Sequence, residues 1–101
     1  MSMLSLGDIL PALLQSMGLA EAAKGWRAVE EWPAVVGLRV ARHSRAVSFH
    51  DGMLVVEVEG SAWIHELGFL KQELVRKVNQ HLGSEVVRDV RLVLARGGSL
   101  R

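Results

Sequence analysis

The chain has 101 residues, half of them hydrophobic, and its 12 basic and 11 acidic side chains nearly cancel. This length and composition predict one globular domain and exclude an intrinsically disordered chain. The absence of cysteine excludes disulfides, thiolate nucleophiles and cysteine-based zinc sites, and it fits a reducing, cytoplasmic setting. No stretch approaches the roughly 18 apolar residues of a membrane helix, and the N-terminal apolar run is too interrupted for a secretory signal, so no membrane is expected as a partner.

Helical spacing of apolar residues predicts two helices at the start of the chain. The first runs from Leu6 to Met17, and Gly18 follows it in a position that suits the left-handed residue of a helix C-cap. The second runs from Ala20 to Glu31. Its inner face is predicted to consist of Ala22, Trp26 and Val29.

Pro33 marks the next boundary in the chain. Proline disfavours helical geometry in the residue before it, so we expect a kink or a break at Trp32. A shorter helix from Pro33 to about Arg42 would use the proline as its first residue, where a backbone N–H is not needed.

The apolar spacing then alternates, which predicts strands. Two strands, Ser44 to Phe49 and Met53 to Glu59, are joined by a turn that contains Asp51-Gly52, a strong hairpin signal. A last strand runs from Val86 to Ala95. The residues predicted to point inward from the last two strands are Leu54, Val56, Val58, Val90, Leu92 and Leu94.

One long helix is predicted between the hairpin and the last strand, from Ser61 to about His81. Ser61 is expected to be its N-cap and Gly83 its stop. Its apolar stripe consists of Trp63, Leu67, Leu70, Leu74 and Val78. Phe69 projects from nearly the opposite side of this helix, which is unexpected for a phenylalanine.

The order of these elements predicts an α+β fold. N-terminal helices, a β-hairpin, a long helix and a final strand are expected to form a three-stranded sheet with helices on one face. The domain is expected to cover residues 1–95, and residues 96–101 are expected to form a flexible tail. The strand order stays open.

No pattern in the sequence predicts catalysis. His65-Glu66 begins like the zinc-protease motif, but Phe69 occupies the position of its second histidine. Ser61 lies between a strand and a helix as in a nucleophile elbow, yet the glycines on both sides of that motif are missing. We therefore expect a binding protein rather than an enzyme, with no metal, cofactor or small-molecule substrate.

Basic residues are clustered although the whole chain is nearly neutral. The first cluster, a seven-residue stretch without an acid, contains Arg39, Arg42, His43 and Arg45. The second cluster, on the predicted long helix, contains Lys71, Arg76 and Lys77. The residues of both clusters are candidate phosphate contacts. A plain solvated basic surface is an equal alternative. On the predicted long helix, Lys77 can instead pair with Glu73 four residues earlier.

Motifs in a fixed order extend through most of the chain. The first group is Trp32, Val35-Val36-Gly37, Val40-Ala41 and His43-Ser44. The second group is Leu54-x-Val56-x-Val58, Ser61-x-Trp63, Leu67, Leu74, Asn79 and Leu82-Gly83. Together they resemble the DciA-like family of bacterial proteins, long catalogued as a domain of unknown function.

This resemblance implies a KH-like α+β fold and a non-enzymatic DNA-replication factor. The best-understood members help to load or operate the bacterial replicative helicase, so the implied partners are that helicase and single- or double-stranded DNA. Some relatives carry a disordered extension that engages the helicase, or a zinc ribbon. This chain has no cysteine and ends soon after its last predicted strand, which leaves either the bare domain or a short paralogue with a different partner.

Two alternatives stay open. One is an RNA-binding protein, because KH-like folds mostly serve RNA, although the chain lacks the glycine clamp and the stacking aromatics of specific RNA binders. The other is a pure protein-interaction domain. Its candidate partner surface is the face that carries His65, Phe69, Gln72 and Arg76.

Phe69 has two competing explanations. Burial beneath the N-terminal helices is favoured, because Leu10, Leu14 and Met17 also need a surface on which to pack. In the second explanation the ring is exposed and forms, with Arg76, the aromatic–arginine pairing that is common at binding hot spots.

Overall fold

A computed structural model of the chain describes residues 18–96, and it confirms the predicted α+β class. The helices are α1 (Leu19–Glu30), α2 (Trp32–Val36), α3 (Leu38–Ala41), α4 (Ser61–Gly68) and α5 (Lys71–Leu82). The strands are β1 (Ser44–His50), β2 (Met53–Val58) and β3 (Asp89–Leu94). The predicted helix from Leu6 to Met17 and residues 97–101 of the predicted tail lie outside the described residues. No helix within residues 18–96 is long and apolar enough to cross a membrane.

The three strands form one mixed sheet in the order β1-β2-β3. β2 is central, antiparallel to β1 and parallel to β3. The predicted hairpin turn is confirmed: Asp51 and Gly52 have φ angles of 49° and 82°, the left-handed pair that a tight turn between twisted strands requires. The parallel pairing of β2 with β3 places α4 and α5 in the crossover between them.

A β-bulge in β1 sets which side chains reach the core. Ala46 pairs with Val56 and Ser48 with Val55, so Val47 is the extra residue. Without the bulge, Ala46 and Phe49 would point to opposite faces of the sheet, because they are three residues apart. With it, both are buried on the inner face.

The core lies between the inner face of the sheet and the helices. Its fully buried large side chains are Trp32, Leu54, Val56, Val58, Leu67, Val78 and Val90. The predicted inward positions are confirmed except at Leu94, which is 58% exposed. Leu94 ends the edge strand opposite Val58, the last residue of β2, where a side chain has fewer neighbours to cover it.

The inner face of α1 differs from the prediction. Gly25 and Ala28 are buried, whereas Trp26, predicted to point inward, is 46% exposed. A Cβ added to Gly25 would lie 2.2 Å from the Phe49 ring. The helix therefore presents its small residues to the sheet, because the aromatic ring of β1 fills the space that a larger side chain would need.

Backbone breaks divide two helices that were predicted to be continuous. Gly37, with φ at 85°, separates α2 from α3 within the predicted segment from Pro33 to Arg42. The break predicted at Trp32 falls one residue earlier, at Glu31. Both deviations come from single residues whose φ and ψ angles are not helical.

The predicted long helix is also divided, into α4 and α5. The N–H groups of Phe69 and Leu70 donate to carbonyls three residues back, which tightens the end of α4 into a 3₁₀ turn. Ser61 is not the N-cap of α4. Gly60 holds that position, with φ at 86°, and its carbonyl accepts the first helical hydrogen bond from Ile64.

Candidate nucleic-acid and partner interface

The first basic cluster lies on α3 and at the start of β1, where the fold surrounds it with acids. Arg39 is 3.6 Å from Glu66, and Arg45 is 3.0 Å from Glu57 on the neighbouring strand. His43 Nδ1 is 3.3 Å from the carboxylate of Glu59. The stretch is free of acids in sequence, but three glutamates face it in the structure.

Trp63 packs against two members of this cluster. Its ring stacks on His43, with centroids 4.5 Å apart, and the Arg39 guanidinium lies 5.3 Å from its centroid. Trp63 is half-buried rather than fully enclosed beneath the sheet. Stacking and ion pairing together hold Arg39 and His43 against α4.

Arg42 differs from its neighbours in the first cluster. Its side chain is exposed and makes no ion pair within residues 18–96. Within the first cluster, Arg42 is thus the one residue that is not ion-paired with a described carboxylate.

The second basic cluster lies on α5 and has fewer acidic neighbours. Glu73 pairs with Arg76 rather than with Lys77, the partner considered from the sequence. Lys71 and Lys77 make no ion pair within the described part of the chain. Of the three cations only Arg76 is ion-paired, although Asp89 of β3 lines the same depression as Lys71 and Arg76, so this cluster has fewer charges offset than the first.

Phe69 is 84% exposed, so α1, the described N-terminal helix, does not bury it. Packing of Leu10, Leu14 and Met17 on this face, which the favoured explanation also invoked, lies outside the described residues. The ring lies where α4 ends, and it stacks on His65 one turn earlier, with centroids 5.8 Å apart and planes inclined by 14°. The alternative explanation, an exposed aromatic side chain at a binding surface, is the one that this geometry supports.

All predicted partner residues meet at the junction between α4 and α5. One shallow depression is lined by Ser61, Ile64, His65, Gly68 and Phe69. An adjoining one is lined by Gly68, Phe69, Lys71, Gln72, Glu73, Arg76 and Asp89. We call the area formed by His65, Gly68, Phe69, Lys71, Gln72 and Arg76 the junction surface.

Gly68 is the member of the junction surface that the sequence argument missed. A Cβ at this position would have no heavy atom within 4 Å, and its φ is not left-handed. The available signal was a glycine inside a predicted helix, which destabilises that helix relative to alanine.

A second network of charges joins α1 to α5, away from the junction surface. His81 Nε2 donates to Glu31 at 2.6 Å, and Arg27 donates both to Glu31 and to the His81 carbonyl, at 3.4 and 3.2 Å. The hydrogen bond from His81, together with the positive charge of Arg27, holds the pKa of Glu31 below its usual value of 4.5. This network stabilises helix packing.

The described residues contain no group of three or more histidine, aspartate or glutamate side chains that could hold a metal ion. The chemistry that residues 18–96 do offer is exposed positive charge with the projecting ring of Phe69 beside it. This combination suits binding to an anionic or aromatic partner.

Comparison with known proteins gives one family and several relatives. A protein-family model described as "Dna[CI] antecedent, DciA" matches residues 5–92. UPF0232 proteins of Mycobacterium tuberculosis and Mycolicibacterium smegmatis are 30% and 29% identical, over 86% and 95% of this chain. A UPF0232 protein of Corynebacterium glutamicum is 23% identical over 87% of the chain. The matched regions are 46%, 50% and 49% of these relatives, so the chain spans about half their length.

Proposed function

The chain belongs to the DciA family, and on that premise we propose that it is a non-enzymatic DNA-replication module that contacts the replicative helicase and binds DNA without sequence specificity. The match over residues 5–92 carries this proposal, because it covers nearly all the described fold. It agrees with the helicase-associated role that the ordered motifs imply.

The distribution of charge supports sequence-independent contact with DNA. Lysine and arginine side chains bind phosphates through charge, and such contacts carry no base information. In the second basic cluster only Arg76 faces a glutamate within ion-pair distance, whereas in the first Arg39, His43 and Arg45 each do. DNA is therefore expected to lie over α5, and Arg42 is the most available contact on the other side.

The junction surface supports a role in binding rather than in catalysis. An exposed aromatic ring beside an arginine is the pairing enriched at interaction hot spots. In this fold Phe69 and Arg76 lie on either side of the start of α5 and line one depression. The surface is thus a candidate contact for one of the two proposed partners.

The test is direct binding of the purified chain to the purified replicative helicase of the same organism and to labelled DNA. We expect saturable binding of both, with an affinity for DNA that is similar for unrelated base sequences and falls with salt. Strong preference for one base sequence would contradict the DNA proposal. Failure to bind the helicase, with and without DNA, would contradict the helicase proposal.

RNA binding is the second candidate function. The same assay with an RNA of matched sequence separates the two, because a protein that reads ribose contacts the 2′-hydroxyl. Tighter binding to RNA than to DNA would replace the DNA proposal.

A further inference from the structure

We propose that the stacked rings of His65 and Phe69 are a platform on which a base of single-stranded nucleic acid stacks, with Lys71 and Arg76 holding its phosphates. This inference rests on the DNA binding proposed above and deepens it. It names the form of nucleic acid and the residues that engage it.

The geometry of the two rings carries the proposal. Phe69 is 84% exposed, more than any other large hydrophobic side chain of residues 18–96. His65 lies against it nearly in parallel, at 14° and 5.8 Å. Together the two rings present a flat surface to solvent at the end of α4. Every nucleic-acid base has a face that can stack on such a ring.

Positive charge lies beside the platform, as binding of a strand requires. Lys71 and Arg76 line the same depression as Phe69. A single strand exposes bases and phosphates together, so an aromatic ring next to cations matches both parts of a nucleotide. Glu73 and Asp89 line the depression as well, but of its described cations only Arg76 is ion-paired, with Glu73, and the Lys71 ammonium is left for a phosphate.

Gly68 adds an independent observation. Within the described residues neither packing nor φ requires a glycine there, since a Cβ would meet nothing within 4 Å. Glycine also weakens the helix that it ends. A glycine next to the ring lets a sugar–phosphate chain approach the backbone closely. This use would account for a glycine that packing within the described residues does not require.

A duplex and a protein fit this surface less well than a single strand. In duplex DNA the base faces are stacked on one another and are not available to a phenylalanine. A protein partner also favours an aromatic ring beside an arginine, but Phe69 projects from the surface among the polar side chains Lys71, Gln72 and Arg76. A projecting ring flanked by polar side chains is the arrangement of a stacking platform.

The experiment compares binding of the full chain to a fluorescent oligothymidylate and to a duplex of the same length. We expect Phe69→Ala to weaken single-strand binding roughly 5- to 150-fold, the range for loss of one stacked base, and to leave duplex binding nearly unchanged. Phe69→Tyr should retain most single-strand affinity. Leu38→Ala, which removes a 71% exposed apolar side chain from α3, is the matched control and should alter neither. Equal thermal unfolding of all variants shows that each is folded.

The possible failures are distinguishable. If the unaltered chain binds neither oligonucleotide, both the DNA proposal and this inference are overturned. If it binds DNA but Phe69→Ala weakens neither form, or both equally, only the platform is overturned. If Phe69→Ala keeps single-strand affinity and loses the helicase, the junction surface is a protein contact and the inference is wrong.

Discussion

At the residue scale, two glycines have opposite surroundings. Gly25 faces the Phe49 ring so closely that an added Cβ would lie 2.2 Å from it, whereas Gly68 faces open space. Neither has a left-handed φ, so backbone conformation does not explain either glycine. The difference lies entirely in what surrounds the missing side chain.

We expect Gly25→Ala to lower the free energy of unfolding. Overpacking against the ring costs about 1–3 kcal/mol, and the gain in helix propensity of up to about 1 kcal/mol offsets part of it. Gly68→Ala is the matched control and should be neutral or stabilising by up to about 1 kcal/mol, since only the propensity term acts. Chemical denaturation of both variants measures the difference. A Gly25→Ala protein as stable as Gly68→Ala would show that Phe49 moves aside without loss.

Asn79 holds the loop between α5 and β3. Its Oδ1 accepts hydrogen bonds from the N–H groups of Val86 and Val87, at 3.1 and 2.9 Å, and its amide donates to the Val87 carbonyl at 2.9 Å. Val86 and Val87 are buried, so these backbone groups have little access to water as a replacement.

Asn79→Ala is therefore expected to destabilise the fold by about 1–3 kcal/mol, because it leaves buried backbone groups unpaired. Gln80→Ala, at the exposed neighbouring position on α5, should stay within about 0.5 kcal/mol of the unaltered chain. Denaturant midpoints compare the two. Equal midpoints would mean that water replaces the asparagine in the loop.

At the element scale, the contact between the C-terminal end of α1 and α5 includes the ionisable side chains of Arg27, Glu31 and His81. His81 and Arg27 both bond Glu31, whose pKa is lowered from 4.5. A carboxylate whose pKa is lower in the folded state than in the unfolded state stabilises the folded state at pH values above the unfolded-state pKa. This contribution is lost as the pH falls through the folded-state value.

We expect the unaltered chain to lose more stability between about pH 6 and about pH 3 than the variant Glu31→Gln does. The glutamine keeps an acceptor for His81 but has no carboxyl group to titrate. Thermal unfolding of both proteins across this range gives the comparison, and acids elsewhere contribute equally to both. Identical pH profiles would show that Glu31 does not stabilise the helix pair through its charge.

The break between α4 and α5 is the element-scale feature on which the proposed site depends. The 3₁₀ turn formed by Phe69 and Leu70 separates the two helices, so their directions are set independently. Leu67 and Leu74 are both buried, one on each side of the break, while Phe69 stays outside. Each helix buries its own apolar side chains, and Phe69 and Leu70 between them are left exposed.

At the scale of the whole molecule, a net charge of +1 conceals an uneven distribution. Around α3 and β1 every arginine except Arg42 has a glutamate partner, while α5 keeps Lys71 and Lys77 without one among the described residues. Long-range attraction to a polyanion depends on such local imbalance rather than on the total.

Replacing both Lys71 and Lys77 by alanine should weaken DNA binding for all base sequences alike. The slope of log affinity against log salt should become shallower by roughly 0.7 to 0.9 for each lost phosphate contact. The double change Arg39→Ala with Arg45→Ala removes the same charge from the first cluster and should have the smaller effect. Titrations at several salt concentrations decide between them, and a larger effect of the arginine pair would place DNA on α3 and β1.

The α+β class, the order of the elements, the hairpin turn and the family resemblance were all predictable from the sequence. They depend on preferences that act within a few residues, such as apolar spacing, Asp51-Gly52 in a turn, and proline at a helix start. The break at Gly37 was not predicted, because glycine permits a change of backbone direction without requiring one. The break at Phe69 and Leu70 was not predicted either, because neither residue type interrupts a helix by itself.

Only the tertiary structure decided which surfaces are available for binding. The sequence shows no acid near Arg39, yet Glu66, 27 positions later, lies 3.6 Å away because α4 packs beside α3. Phe69 is exposed and Gly25 is buried for the same reason, since both outcomes depend on which helix face meets the sheet. Such contacts join residues far apart in the chain, and their geometry exists only after the elements have packed.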